Sequence, residues 1–201
     1  MSIYKWATSI PVLGMILTIT NNYVAGGDFS ADDEFAPLTS WIKALWSGVV
    51  ISVALTVLTL WQQCQMTSLG GCLPKDAFVA LPGTIAISVL PNILGFGIGV
   101  YALIFALSEK FVKMFHEAAQ RANANGEKIS VLTLNADMAY PLMVIIIAIA
   151  VGLLQQVFKE SVWLLVGSWF MVWYSLVKTA GLIGVIFRIG EQALLDKIDA
   201  Q

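Results

Sequence analysis

Long uncharged stretches dominate the pattern of this chain. Between Lys43 and Lys75, and again between Asp76 and Glu109, it runs for more than thirty residues without a charged side chain, and the windows 6–27, 138–158 and 161–177 come close. An α-helix needs roughly 20 residues to cross about 30 Å of hydrocarbon. The pattern therefore predicts an all-α, polytopic integral membrane protein, folded as a single transmembrane domain over 1–201. About five spans are expected by that length criterion, over 6–25, 41–61, 77–107, 138–158 and 161–187, or four if the first lies in the interface. An amphipathic helix over 108–125 and a C-terminal helical hairpin complete the expected plan.

The first window is the least regular. Lys5 ahead of an apolar stretch, with Ala25-Gly26-Gly27 behind it, has the layout of a secretory signal. A retained helix stopped at Gly26-Gly27 is the expectation, although Pro11 and the pair Asn21-Asn22 weaken it as a span. Thr39 or Ser40 is placed to cap the second helix with its hydroxyl, and Trp41, Trp46 and Trp61 stand where indoles anchor at the two membrane surfaces. Pro74 is placed to open the third helix, where a missing N–H is harmless.

The window 77–108 is too long for a straight crossing, since one helix over it would reach about 48 Å. Two readings compete. In the favoured one it is a single helix kinked at Pro82 and Pro91, with Thr84 and Ser88 near the freed carbonyls. In the other, the helix is broken at Pro91-Asn92 beside Ser88, the kind of discontinuity that builds substrate sites in secondary transporters. Just beyond, Gly95 and Gly99 have the GxxxG spacing that lets helix backbones approach closely, and Ala148/Gly152 and Ala180/Gly184 repeat it. Helix packing is the favoured role for all three pairs.

The polar stretch 109–137 differs in kind. Glu109/Lys113, Lys113/Glu117 and Glu117/Arg121 are each four apart, and Phe111 and Phe115 lie on the other face, so an amphipathic helix is expected to end near Asn125-Gly126. Asn135 or Asp137 is placed to begin the fourth helix. The turn at Lys159-Glu160-Ser161 then folds the last two spans side by side. Counted from that turn, Asp137 and Lys178 differ in height by about 4.5 Å, close enough to pair. A lysine inside hydrocarbon either reaches the interface or finds a carboxylate; a structural clamp or simple snorkelling is favoured over a proton relay. On the last helix Trp169/Trp173 and Phe170/Tyr174 share faces at four-residue spacing, suited to lipid contact or helix packing.

Composition agrees: 58% of residues are hydrophobic and 12% charged, with a mean hydropathy of +0.81, against roughly 25% charged in an average soluble domain. A net charge of −2 gives no reason to expect a nucleic-acid partner. The lone His116 argues against bis-histidine haem or a histidine metal site, so neither cofactor nor metal is expected. With five spans, eight basic residues fall on the side of the C-terminus and three on the other. The positive-inside rule then puts the C-terminus and 109–137 in the cytoplasm and the N-terminus outside, in a membrane of the bacterial inner type. Cys64 and Cys72 would face the oxidising side, where a disulfide is chemically sensible.

No constellation of nucleophile, base or metal ligand emerges, so catalysis is the least favoured class. The expected function is a non-catalytic membrane subunit that forms a homo-oligomer or packs with other membrane subunits and with lipids. Secretion, conjugation and respiratory machines use many such subunits. The alternative is a small channel or secondary transporter with its site near Pro82–Gly99, at Ser88, Pro91 and Asn92.

Overall fold

The computed structural model describes residues 3–26, 34–66, 72–74, 81–105 and 131–199. It is an all-α membrane fold, with a two-strand hairpin as a minor addition. Among the described residues four helices are long and apolar enough to cross a membrane, over Leu38–Trp61, Pro82–Leu103, Asn135–Val157 and Val162–Phe187. Of the two expected counts, five or four, four is the one found among the described residues. The expected helix over 108–125, with His116, lies outside the described residues.

The missing span is the first window. It forms two short helices, α1 (Ile3–Thr8) and α2 (Leu13–Ala25). Pro11 has no N–H to continue a helix, and Val12 adopts a φ of +66°, rare for a β-branched residue. The Thr8 and Ser9 hydroxyls bond back to the Tyr4 and Trp6 carbonyls at 3.0 and 2.7 Å, closing α1 before the proline. A side chain at Gly14 would collide with the Thr8 carbonyl, so the glycine permits the sharp approach of α2 to α1. Thirteen residues of α2 reach only about 20 Å, short of a crossing. It ends as expected on Gly26, which takes the left-handed conformation and bonds the Asn22 and Tyr23 carbonyls.

Helix α3 (Leu38–Gln63) starts before its expected hydroxyl caps, so Thr39 and Ser40 lie inside it, and the Pro37 carbonyl receives the Ser40 and Trp41 N–H groups. Strands β1 (Cys64–Met66) and β2 (Cys72–Pro74) follow as an antiparallel pair. Pro74 therefore ends a strand. The proline at the opening turn of the next helix is Pro82, of α4 (Pro82–Phe105). At 24 residues α4 is about 36 Å long, and the rest of the uncharged window, 77–80 and 106–108, lies outside the described residues.

Helix α5 (Val131–Val157) reaches further toward the N-terminus than its predicted start. The Asn135 side chain does not cap it; its Oδ1 accepts a 2.6 Å bond from the Tyr101 hydroxyl of α4. Helix α6 (Val162–Asp199) follows a short turn. There the Ser161 Oγ accepts the Leu164 N–H at 3.4 Å, giving the helix a hydroxyl cap.

The residues group into two compact units, to both of which α3 to α6 contribute. One comprises Met1–Trp46, Ile98–Met143 and Thr179–Gln201. In it the fully buried Asn21 ties down the segment before α3: its Nδ2 donates to the Glu34 carbonyl and its Oδ1 accepts the Ala36 N–H, both at 2.8 Å. Tyr4 meets Phe35 edge-on at 4.9 Å. Tyr23 stacks on Tyr140 at 4.1 Å, fixing α2 beside the start of α5. The other unit comprises Ser47–Gly97 and Val144–Lys178, and its apolar centre is Ala86, Leu90, Ile145, Ala148 and Val172.

Candidate functional site

The side chains that set this molecule apart lie along helix seams. In the second unit, α4 and α5 meet at Gly83 and Gly152. A Cβ on Gly152 would stand 2.6 Å from the Ala86 methyl, and one on Gly83 would stand 2.5 Å from the Gly152 carbonyl oxygen. Two backbones are in contact here, which no larger residue would permit. One turn on, Gln155 Oε1 accepts the Gly83 N–H at 3.2 Å, and Gln156 Nε2 donates to Thr84 Oγ1 at 3.3 Å. The first turn of a helix leaves its N–H groups unsatisfied. The paired glutamines of α5 thus serve the start of α4 from outside.

A second seam joins α3 to α6. Gly48, Ser52 and Thr56 recur every fourth residue and are buried. The Ser52 and Thr56 hydroxyls bond back to the Gly48 and Ser52 carbonyls at 2.7 Å, which leaves a smooth, narrow face. Against it lie Tyr174 and Lys178, whose nearest atoms would come within 3.2 and 3.0 Å of a Cβ on Gly48. Lys178 is only 7% exposed and stands over the Tyr174 ring, 5.4 Å from its centroid. Trp173 donates its indole N–H to Thr59 Oγ1 at 3.0 Å, and Phe170 stacks on Tyr174 at 5.6 Å. Much of the aromatic face of α6 thus packs inside the unit.

The remaining sequence-predicted pairs are placed differently. Gly95, Gly99, Ala180 and Gly184 are exposed, and a Cβ on any of these three glycines would meet nothing within 4 Å. Ala148 and Gly152, of the same spacing, are buried. On α4, Ser88 and Asn92 are exposed beside the open glycines. Pro91 sits inside an unbroken helix, so the half-helix reading of this stretch is corrected. Ser88 Oγ donates to the Ile85 carbonyl and Asn92 Nδ2 to the Ser88 carbonyl, each at 3.4 Å, supplementing the ladder that the proline interrupts.

Asp137 belongs to the first unit and Lys178 to the second. The β-ladder pairs Cys64 with Pro74 and Met66 with Cys72, which sets the cysteines on one diagonal rather than opposite each other; their side chains lie outside the described residues. Among the described residues no three His, Cys, Asp or Glu side chains form a group able to hold a metal.

Sequence reading missed the Gly48/Ser52/Thr56 seam and the Gly83 half of the α4–α5 contact. The first carries a visible signal, three small residues at successive four-residue steps. The second has none, because Gly83 finds its partner on another helix. No protein-family model matches this chain, and neither a characterised protein nor a solved structure resembles it beyond chance similarity.

Proposed function

We propose that this chain is a non-catalytic integral membrane subunit that associates with copies of itself or with other membrane subunits, as in the small polytopic components of secretion, conjugation and respiratory machines. The observation that carries the reading is the outer face of α4, where Ser88, Asn92, Gly95 and Gly99 stand exposed at helical spacing with the glycine Cβ positions open. Lipid tails gain nothing from a flat glycine surface, and an amide in hydrocarbon seeks a partner. A neighbouring helix supplies both close backbone contact and hydrogen bonds. Gently extracted protein is expected to run as a defined oligomer or with a stoichiometric partner, and Gly95→Leu with Gly99→Leu is expected to release it as a monomer. The channel or transporter alternative gains no support from α4, which presents Ser88 and Asn92 on an exposed face.

The four-span count also revises the proposed orientation. With four crossings both termini share one side. Seven basic residues (Lys5, Lys110, Lys113, Arg121, Lys128, Arg188 and Lys197) fall there and two (Lys75 and Lys159) opposite, with Lys43 and Lys178 within spans. The positive-inside rule then makes both termini cytoplasmic. Reporter fusions at each terminus test this, and opposite signals would overturn it. The hairpin holding Cys64 and Cys72 would face the oxidising side, where alkylation without reductant tests for a disulfide. Asp137 and Lys178 are proposed as a clamp. Asp137→Asn and Lys178→Met should then destabilise alike, with no further loss in the double variant, whereas additive losses refute the pair.

A further inference from the structure

Among the described residues of the second unit, three buried polar atoms have no hydrogen-bond partner: Gln155 Nε2, Ser168 Oγ and Trp169 Nε1, and the first two carry the argument. Gln155 is fully buried, and its Nε2 has no hydrogen-bond partner among the described residues. Its orientation is fixed, because Oε1 is held by the Gly83 N–H. Ser168 is also fully buried with an unpaired Oγ. Other buried hydroxyls of this unit behave differently: those of Ser52, Thr56 and Ser175 bond back to carbonyls of their own helices at 2.7 to 2.8 Å. The Ser168 hydroxyl forgoes that bond.

Helix geometry brings the two groups toward each other. From the midpoint of the turn between α5 and α6, Gln155 is about 7 Å down one arm and Ser168 about 13 Å down the other. Side chains lean toward the N-terminus of their own helix. In an antiparallel hairpin that tilts Gln155 away from the turn and Ser168 toward it, so their tips converge in height. They also share a face. Ser168 lies one turn before Val172, which packs with Ala86 and Ala148, and Gln155 lies about one turn after Gly152, which packs on Ala86 and Gly83. The Gly152 carbonyl oxygen, turned toward Gly83, offers a further acceptor at the junction.

We propose that the junction of α4, α5 and α6 is a binding site for one ordered water molecule, which accepts from Gln155 Nε2 and bonds Ser168 Oγ. Two unpaired groups beyond direct reach, with a carbonyl nearby, supply the two to four polar partners that a buried water requires. The water completes the polar joint by which the hairpin holds the start of α4. This inference rests on the interior of one unit and is independent of the proposed assembly role.

The test begins with Ser168→Ala in the purified, detergent-solubilised protein. If the hydroxyl holds a water, its loss lowers the thermal midpoint by roughly 2–4 °C, the shift that about 1 kcal/mol produces in a chain of this size. If the hydroxyl is merely unpaired, removing it leaves the midpoint unchanged or raises it, and the proposal falls. Gln155→Met also removes the bond to Gly83, but that loss is common to both proteins carrying it and cancels in a double-variant cycle. Non-additive losses support the bridge, and additive losses overturn it. In an experimental structure fine enough to show ordered solvent, a water within hydrogen-bond reach of both atoms is expected; a dry junction overturns the site.

Discussion

Gly83/Gly152 and Gly95/Gly99 are both pairs of glycines inside long apolar helices, and they differ completely as structure. Around the first pair every direction a side chain would take is filled, with backbone or methyl atoms at 2.5 to 2.6 Å from an added Cβ. Around the second pair nothing stands within 4 Å. Gly83, Gly95 and Gly99 all lie on α4, so the apolar character of the helix alone does not separate them. Small residues at a spacing of four license close approach of helices, but the spacing does not say whether the approaching helix belongs to the same chain. In this protein the closed seams hold helices of the one chain together, and the proposed function assigns the open ones to a partner.

The strongest way to break that contrast is to fill a closed position. Gly83→Leu has no room between the Gly152 carbonyl and the Gln155 side chain. Overpacking a tight site costs about 1–3 kcal/mol and at backbone contacts more. The expected result is loss of monodisperse protein, or a thermal midpoint lowered by roughly 6–12 °C if about 3 kcal/mol is lost, measured by unfolding in detergent. Gly48→Leu should act similarly at the α3–α6 seam, by displacing Tyr174 and Lys178.

Filling an open position sharpens the contrast from the other side. Gly95→Leu should leave the unfolding midpoint of the isolated chain within the range of a surface change, about ±0.5 kcal/mol. Its effect belongs to association, which should weaken by about tenfold, equivalent to roughly 1.4 kcal/mol. Asn92→Leu should have a smaller effect of the same kind. Interhelical hydrogen bonds in membranes average about 0.6 kcal/mol, so a loss of association near threefold is expected in a dilution series of fluorescently labelled protein. The smallest change should come from Gly184→Ala on α6, where an added methyl meets open space. It should leave both folding and assembly within error, and a clear loss of either would show that α6 also carries a partner.

The same distinction explains how much could be read from the chain before its structure was known. Spans were legible because twenty apolar residues without a charge have few other homes. The doubt about the first window had a visible cause, Pro11, but hydropathy does not show that Val12 takes a positive φ and splits the segment in two. Helix starts were misplaced where a polar residue had a long-range partner. Asn135 looks like a cap in sequence and instead meets Tyr101, 34 residues away. Burial of Asn21 likewise depends on Glu34 and Ala36 across a loop, and no local pattern encodes it. Among candidate site residues, identity and spacing were readable, whereas facing was not. Lipid-exposed and protein-buried positions are both apolar in a membrane protein, so the solvent contrast that orients helices in a soluble fold is missing.

The most direct measurement is native mass spectrometry of the wild-type protein, extracted gently from its own membrane, beside the variant carrying Gly95→Leu and Gly99→Leu. An assembly subunit gives a fixed oligomer or stoichiometric partner in the wild type and a well-folded lone chain in the variant. A lone chain in the wild type, or an assembly indifferent to both substitutions, contradicts the proposed role of the open seam.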